Sequence, residues 1–290
     1  MLRPEIILKD HGPDWLKSGL FNVAITAFPD WSQISIKTIY GGLTNQNYLF
    51  SVADNKFVLR IGSDNSDALA LDREAEYKIH QHVAACGLVR PILYRSESDK
   101  FWLREYIQGK ELQQADLSPA TIRLIADAFV ALHALPIEHD IPVLSLQDKA
   151  KAYWSIIQAQ SDTSECLLLR DQIDNVLQQN FSENKLALCH LDPVLNNWLQ
   201  TEAGLQLLDW EYAALANPLL DYAAFAQAAE LDNVQQHELV ATLQPAEADW
   251  LLAQKQMQLL SLLWYKAQSL ISAEEFIQQC QLLINTRNPR

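Results

Sequence analysis

The sequence predicts an α+β protein in two lobes, a small β-rich lobe over residues 1–107 and a larger, mainly helical lobe over 108–290. Three observations carry this. Short β-rich runs, one of which alternates apolar and polar residues as a half-buried strand does, concentrate in the first third of the chain. Apolar residues at helical spacing dominate from Ser118 onward. One β-rich island, residues 186–212, interrupts those helices and gathers polar residues at strand ends, where loops on a rigid scaffold carry chemistry.

Taken in order, ISIKTIY (34–40) alternates and reads as a strand, broken by Gly41-Gly42. NYLFSV (47–52) and KFVLRI (56–61) flank the short polar link Ala53-Asp54-Asn55 and read as a hairpin. In LDREAEYKIHQHVAAC (71–86), Ala75, Ile79, Val83 and Cys86 fall on one helical face, and Gly87 ends the run. FWLREYI (101–107) is a further strand, stopped by Gly109. Ser118 is placed to cap a helix with Pro119 at its first position. Ile122, Ile125, Ala126, Phe129 and Leu132 form that helix's apolar stripe, and Pro136 closes it. Within the island, LALC, NWLQ and LQLL are short strand-like runs, with a turn from Thr201 to Gly204. From Gln235 the chain is helical again, including the buried-helix run LLSLLWY (259–265), and it ends in a polar tail.

Composition narrows the function classes. Hydrophobic residues are 49% of the 290, enough for a sizeable core. The formal charge of −14 repels phosphate backbones, which argues against nucleic acid and favours a cationic ligand. The four cysteines, Cys86, Cys166, Cys189 and Cys280, show no C-x-x-C spacing, so no zinc or redox framework is indicated. No run approaches the ~20 apolar residues of a membrane span, and the first residues lack a signal-peptide core. A reduced cytoplasmic setting without membrane partners is expected.

The chemistry concentrates in the island. His190-Leu191-Asp192 is followed by Asn197, then by the apolar LQLL and Asp209-Trp210-Glu211. Phosphoryl transfer needs a carboxylate to orient an acceptor hydroxyl and take its proton. It also needs oxygen ligands for the magnesium that neutralises the phosphates. Asp192 suits the first task. Asn197 and Asp209 suit the second, and His190 suits bracing the loop. Any one of these residues alone is more often a turn or a cap; the ordered set is the specific signal.

HLDPVLNNWL followed by LLDWEYAALANPLLDYAAF resembles the signature of the superfamily of choline kinases, thiamine kinases and aminoglycoside phosphotransferases. The likeness runs from about residue 35 to 270 and is nearest to the choline and thiamine kinases. It implies a protein-kinase-like fold and an ATP-dependent kinase that uses Mg2+. It also implies Asp192 as catalytic base, Asn197 and Asp209 as metal ligands, and Asp221 as brace of the catalytic loop. Pro193-Val194-Leu195-Asn196 departs from the histidine, proline and glycine common in that loop.

In the first lobe, Gly41-Gly42-Leu43-Thr44-Asn45-Gln46-Asn47-Tyr48 resembles the family's phosphate-covering turn, which makes Gly42, Thr44, Asn45 and Asn47 donor-site candidates. Arg60 stands where many relatives have a lysine for the ATP phosphates. Glu76, or Glu74 two residues earlier, resembles its helix partner. REYIQG (104–109) resembles the hinge, where adenine would bond to backbone around Glu105 and Ile107. In VALHAL (130–135), His133 is expected to be structural.

The implied acceptor is a small alcohol. Choline, ethanolamine and thiamine share a hydroxyethyl arm on a cationic nitrogen, and aromatic rings hold such groups by cation–π contacts. Trp210, Glu211, Trp264 and Tyr265 are the candidates, against the ordinary reading of each aromatic as core. An aminoglycoside or a sugar is the alternative acceptor, and a nucleotide-binding pseudokinase the alternative class; the presence of Asp192, Asn197 and Asp209 favours the enzyme. P-loop, dinucleotide-binding, serine-hydrolase and HExxH motifs are absent, as are D-F-G and A-P-E.

Overall fold

The β-rich run KFVLRI becomes strand β3 (Asn55–Gly62), the centre of an antiparallel sheet ordered β1-β2-β3-β5-β4. The other strands are β1 (Ser35–Ile39), β2 (Asn45–Val52), β4 (Ile92–Arg95) and β5 (Phe101–Glu105). The computed structural model describes residues 35–39, 45–52, 55–62, 71–96, 101–161, 163–183 and 185–285. The chain divides into two units, residues 1–67 with 72–109, and residues 68–71 with 110–290.

In the first unit the register sets Asn47, Arg60 and Trp102 side by side across β2, β3 and β5. Successive strand residues point to opposite faces. Leu59 and Ile61 therefore turn to the other face, where they pack with Phe57, Leu93, Phe101 and Leu103. Helix α1 (Arg73–Ala85) starts at Asp72, whose side chain accepts from the Ala75 N–H at 2.9 Å. It ends where Gly87, at φ +80°, lets the Leu88 N–H reach the Val83 carbonyl. Ala75, Ile79 and Val83 are buried as the spacing predicts, but Cys86 is exposed. At the C-cap its backbone has already left helical geometry (φ −84°, ψ 0°), so its side chain falls off the stripe. Strand β5 stops at Glu105, short of Ile107, although the Tyr106 N–H still bonds to the Lys56 carbonyl.

The second unit is built on α2 (Pro119–His133), capped by Ser118, whose hydroxyl accepts from the Thr121 N–H at 3.1 Å, an arrangement worth about 1 kcal/mol. Its stripe of Ile122, Ile125, Ala126, Phe129 and Leu132 is buried throughout. Then follow α3 (Leu146–Gln158), α4 (Ser164–Leu167), α5 (Arg170–Leu177), α6 (Leu219–Ala228), α7 (Asn233–Val240), α8 (Glu247–Ala267) and α9 (Ala273–Asn285). Trp154, Ile157, Cys166, Ile173, Leu259, Leu263, Phe276 and Cys280 form the core that joins α3, α4, α5, α8 and α9. Each large side chain buried there stabilises by roughly 1.5–3 kcal/mol. No helix among the described residues is long and apolar enough to cross a membrane.

The island forms two small sheets in this unit. Strand β7 (Ala187–Cys189) pairs antiparallel with β10 (Ala214–Ala216). Strand β8 (Trp198–Thr201) pairs with β9 (Gly204–Leu207) through the Thr201–Gly204 turn, and with β6 (Lys110–Glu111) on its other edge. These pairings fix the two ends of the loop that carries Asp192.

Candidate active site

The chain leaves β7 at His190 and bends at Leu191, whose φ of +66° is left-handed and costs a non-glycine residue ~1–2 kcal/mol. Asp221, in the first turn of α6 and 0% exposed, holds the bend. Its carboxylate accepts the His190 N–H at 2.9 Å and the Leu191 N–H at 2.6 Å. A third bond, from His133 Nε2 at 2.9 Å, ties the carboxylate to the end of α2. Its place at a helix N-terminus favours the negative charge further.

His190 braces the loop from the other side. Its Nδ1 accepts the Asp192 N–H at 3.3 Å, so Nε2 carries the proton and donates to the Leu208 carbonyl at 2.9 Å. Burial, partly offset by Asp221, pulls its pKa down to about 4, so the ring is neutral at physiological pH. Trp210 is 3% exposed and packs edge-on against His190, 4.7 Å between ring centroids, with its Nε1–H on the Leu207 carbonyl. It is part of the loop's support.

Asn197 closes the loop. Its Nδ2 donates to the Asp192 carbonyl at 2.9 Å and, more weakly, to Asp192 Oδ2 at 3.4 Å. The planar amide consequently turns its oxygen away from Asp192. The Leu208 N–H bonds to the Asn197 carbonyl at 2.8 Å, which brings the start of the Asp209 segment beside the loop. Asp209 is itself left-handed, φ +65°. Strained non-glycine residues of this kind cluster at functional sites.

Burial and the neighbouring Asp209 and Glu211 raise Asp192 to about 8, against the pull of the Asn197 amide. Like charges this close resist ionising together. A divalent cation relieves that repulsion, and an amide oxygen plus a carboxylate is a hard donor set suited to magnesium. The residues fit the ion.

Two tyrosines absent from the sequence-derived candidates complete this region. The phenols of Tyr153 on α3 and Tyr212 are both pushed up, first by burial and then by the charges of Glu211 and Asp192. Both hydroxyls therefore lie in the field of the candidate base. Trp264 on α8 donates its Nε1–H to the Tyr212 hydroxyl at 3.1 Å, and the Lys149 ammonium lies 5.6 Å from the Tyr212 ring centroid. Tyr265 is 41% exposed and packs on Trp264. Tyr212 directly follows the predicted Asp209-Trp210-Glu211, so adjacency could have flagged it. Tyr153 lies far away in sequence and had no such signal.

In the first unit, Arg60 pairs with Glu76, and its guanidinium stacks 4.4 Å over Trp102. Glu74, itself exposed, instead accepts from Arg95 at 2.7 Å. Arg73 also donates to Glu76, at 2.8 Å, and to Asn45 Oδ1, at 3.2 Å. Asn45 and Asn47 share the sheet face of Arg60 by register. Glu105 and Ile107 are half-buried at and just beyond the end of β5. Gly42 and Thr44 lie outside the described residues.

Comparisons with known proteins give the family and the fold. A model of the phosphotransferase enzyme family (APH) matches residues 35–256. The chain is 29% identical over 199 residues to protein LicA of Haemophilus influenzae; the match covers 67% of this chain but only 58% of that relative. The crystal structure of choline kinase LicA from Streptococcus pneumoniae superposes with a TM-score of 0.71 at 19% identity, covering 87% of this chain and 94% of that one. The ethanolamine kinase of Plasmodium vivax also gives 0.71, at 16% identity, over 97% of this chain and 85% of that one. At such identities the solved structures establish the fold. Together with the family match, which spans most of the sequence, they place the chain in the phosphotransferase enzyme family, built on the protein-kinase-like fold.

Proposed function

We propose that this kinase transfers the γ-phosphoryl group of Mg-ATP to the hydroxyl of a small cationic alcohol of the choline and ethanolamine type. The observation that carries this reading is the grouping of Asp192 with Asp209, Asn197 and Glu211, with the Tyr153 and Tyr212 hydroxyls in the same field. The likeness to LicA and to the choline and ethanolamine kinases supports the acceptor class.

Asp192 orients the acceptor hydroxyl and takes its proton as the oxygen forms its bond to phosphorus and the bond to the ADP oxygen breaks. Asn197 and Asp209 hold the magnesium ion, which when bound neutralises charge on the phosphates. His190 and Asp221 keep the Asp192 loop fixed, which matters because small displacements of a catalytic group cost large factors in rate. Arg60, anchored by Glu76, supplies positive charge to the phosphates, and the face bearing Asn45 and Asn47 lies beside it. Adenine bonds to backbone near Glu105 and Ile107.

Acceptor recognition rests on a carboxylate beside aromatic rings. Glu211 supplies the charge and Tyr212 and Trp264 supply π-faces, each contact worth about 0.5–2 kcal/mol to a cation. Trp210 serves the loop, and Tyr265 supports Trp264 from the outside. Thiamine carries the same hydroxyethyl-on-cation feature and is the second acceptor to try.

An ATP-consumption screen over choline, ethanolamine, thiamine, an aminoglycoside and a neutral sugar tests the reading. Turnover with choline or ethanolamine is the expected result. Turnover with the sugar alone would overturn the cationic acceptor, and turnover independent of magnesium would overturn the metal assignment.

A further inference from the structure

Two guanidiniums converge on the Glu76 carboxylate. Arg60 on β3 donates to Oε1, and Arg73, one turn earlier on α1, donates to Oε2 at 2.8 Å. The other Arg73 nitrogen, Nη2, donates to Asn45 Oδ1 at 3.2 Å at the start of β2. The Glu76 side chain is 2% exposed, and those of Arg60 and Arg73 are 9% and 19% exposed. Both guanidiniums are mostly buried, beside a recess that Asn45, Arg60, Gly62 and Arg73 help to line.

A single pairing partner would be in conflict. An Arg60 that swings toward a phosphate loosens its hold on Glu76, and a buried carboxylate left without a partner is strongly unfavourable. Arg73 removes the conflict, because it reaches the other carboxylate oxygen from the same helix and is held in place by Asn45. Its planar fork suits this double task.

We infer that Arg73 is a positioning residue for the phosphoryl donor: it keeps Glu76 neutralised and Asn45 in place, so that the Arg60 guanidinium is released to the nucleotide phosphates. This deepens the proposed function, since it takes ATP as the donor. It predicts that Arg73 affects donor binding without touching the acceptor.

Two arms test it on the full chain. In the kinetic arm, Arg73→Gln raises the KM for ATP by about tenfold, leaves the KM for the acceptor within about twofold, and is partly rescued by Arg73→Lys, which keeps the charge but not the fork. An unchanged KM for ATP, an equal rise in both constants, or no rescue at all by lysine would overturn the role. In the ligand-free arm, melting temperatures are compared for Arg73→Gln, Arg60→Gln and the double variant. Each single variant leaves Glu76 one partner and the double leaves none, so the drop in the double exceeds the sum of the singles. Additive drops would overturn the sharing, and so would Arg73→Gln failing to fold, because Arg60 alone should hold Glu76. If the unmutated chain takes no phosphate from ATP, the donor reading fails on that result alone, and the melting arm still decides whether Arg73 and Arg60 substitute for each other at Glu76.

Discussion

Replacing Asp221 by asparagine keeps the side-chain shape and removes one acceptor oxygen together with the charge. In the native chain that carboxylate receives three hydrogen bonds, from the backbone N–H groups of His190 and Leu191 and from His133 Nε2. All three meet it where Asp221 is 0% exposed, so water cannot take its place cheaply. The asparagine oxygen can serve one donor or two, while its NH2 group faces a donor. One to two buried donors are thus left without an acceptor, each at about 1–3 kcal/mol, which gives a loss of about 2–4 kcal/mol. For a unit of this size each kcal/mol moves the melting temperature by ~2–4 °C, so a drop of about 5–15 °C is expected. The left-handed Leu191 then loses the bonds that hold it, and Asp192 with it. Turnover should fall at least ~100-fold, the penalty for a misplaced catalytic group. Thermal melting, amide exchange at His190 and Leu191, and a kinase assay read the three consequences. A melting shift below about 2 °C with unchanged protection of those two amides would refute the reasoning.

Asp192→Asn should lower turnover about 10²–10⁴-fold while changing ATP affinity little, as measured by steady-state kinetics beside equilibrium dialysis. The same variant, melted in chelator, should be more stable than the native chain by about 2 kcal/mol near pH 8. The sign follows from the folded-state pKa of Asp192, raised to about 8: the native chain binds an extra proton between about 4 and 8 and loses that stability as pH rises through the window. The advantage of the asparagine should accordingly shrink toward pH 4, and a pH-independent difference would count against the carboxylate crowding. Asp209→Asn should abolish magnesium-dependent turnover with little change in the melting temperature; full activity in that variant, or in excess chelator, would remove the metal assignment. Choline should turn over better than its neutral isostere 3,3-dimethylbutanol, with a KM that rises with salt; equal turnover would end the cation pocket but leave the kinase chemistry standing.

Much of this was legible in the residues, for identifiable reasons. Eight-residue β3 is a β-rich run beside a short polar link, and Ser118-Pro119 announces α2 by capping chemistry. The Asp192, Asn197 and Asp209 set is local in sequence, so its spacing survives in a linear reading. Strand β6 has two residues and strand β7 three, too few to show a period, and their partners on β8 and β10 cannot be read from pattern. Cys86 followed the helical spacing but sits where the helix has already ended. Tyr153 enters the field of Asp192 from α3, and the bond of His133 to Asp221 joins residues 88 apart; such meetings come from tertiary packing and leave no mark in local sequence. The resemblance to the family supplied the brace role of Asp221, and the structure supplied its three bonds. Arg73 drew no attention as a sequence feature, because a helix-start arginine is ordinary until Glu76 and Asn45 are seen on either side of it.

In the proposed reaction Asp192 carries phosphoryl transfer from ATP to an alcohol. The most direct measurement is to incubate the protein with Mg-ATP and choline or ethanolamine, then follow ADP and the phosphorylated alcohol together by mass spectrometry. Equal amounts of the two products are expected from the native chain, with loss of both in Asp192→Asn. ADP without any phosphorylated alcohol, or an Asp192→Asn chain that forms product at the native rate, would contradict it.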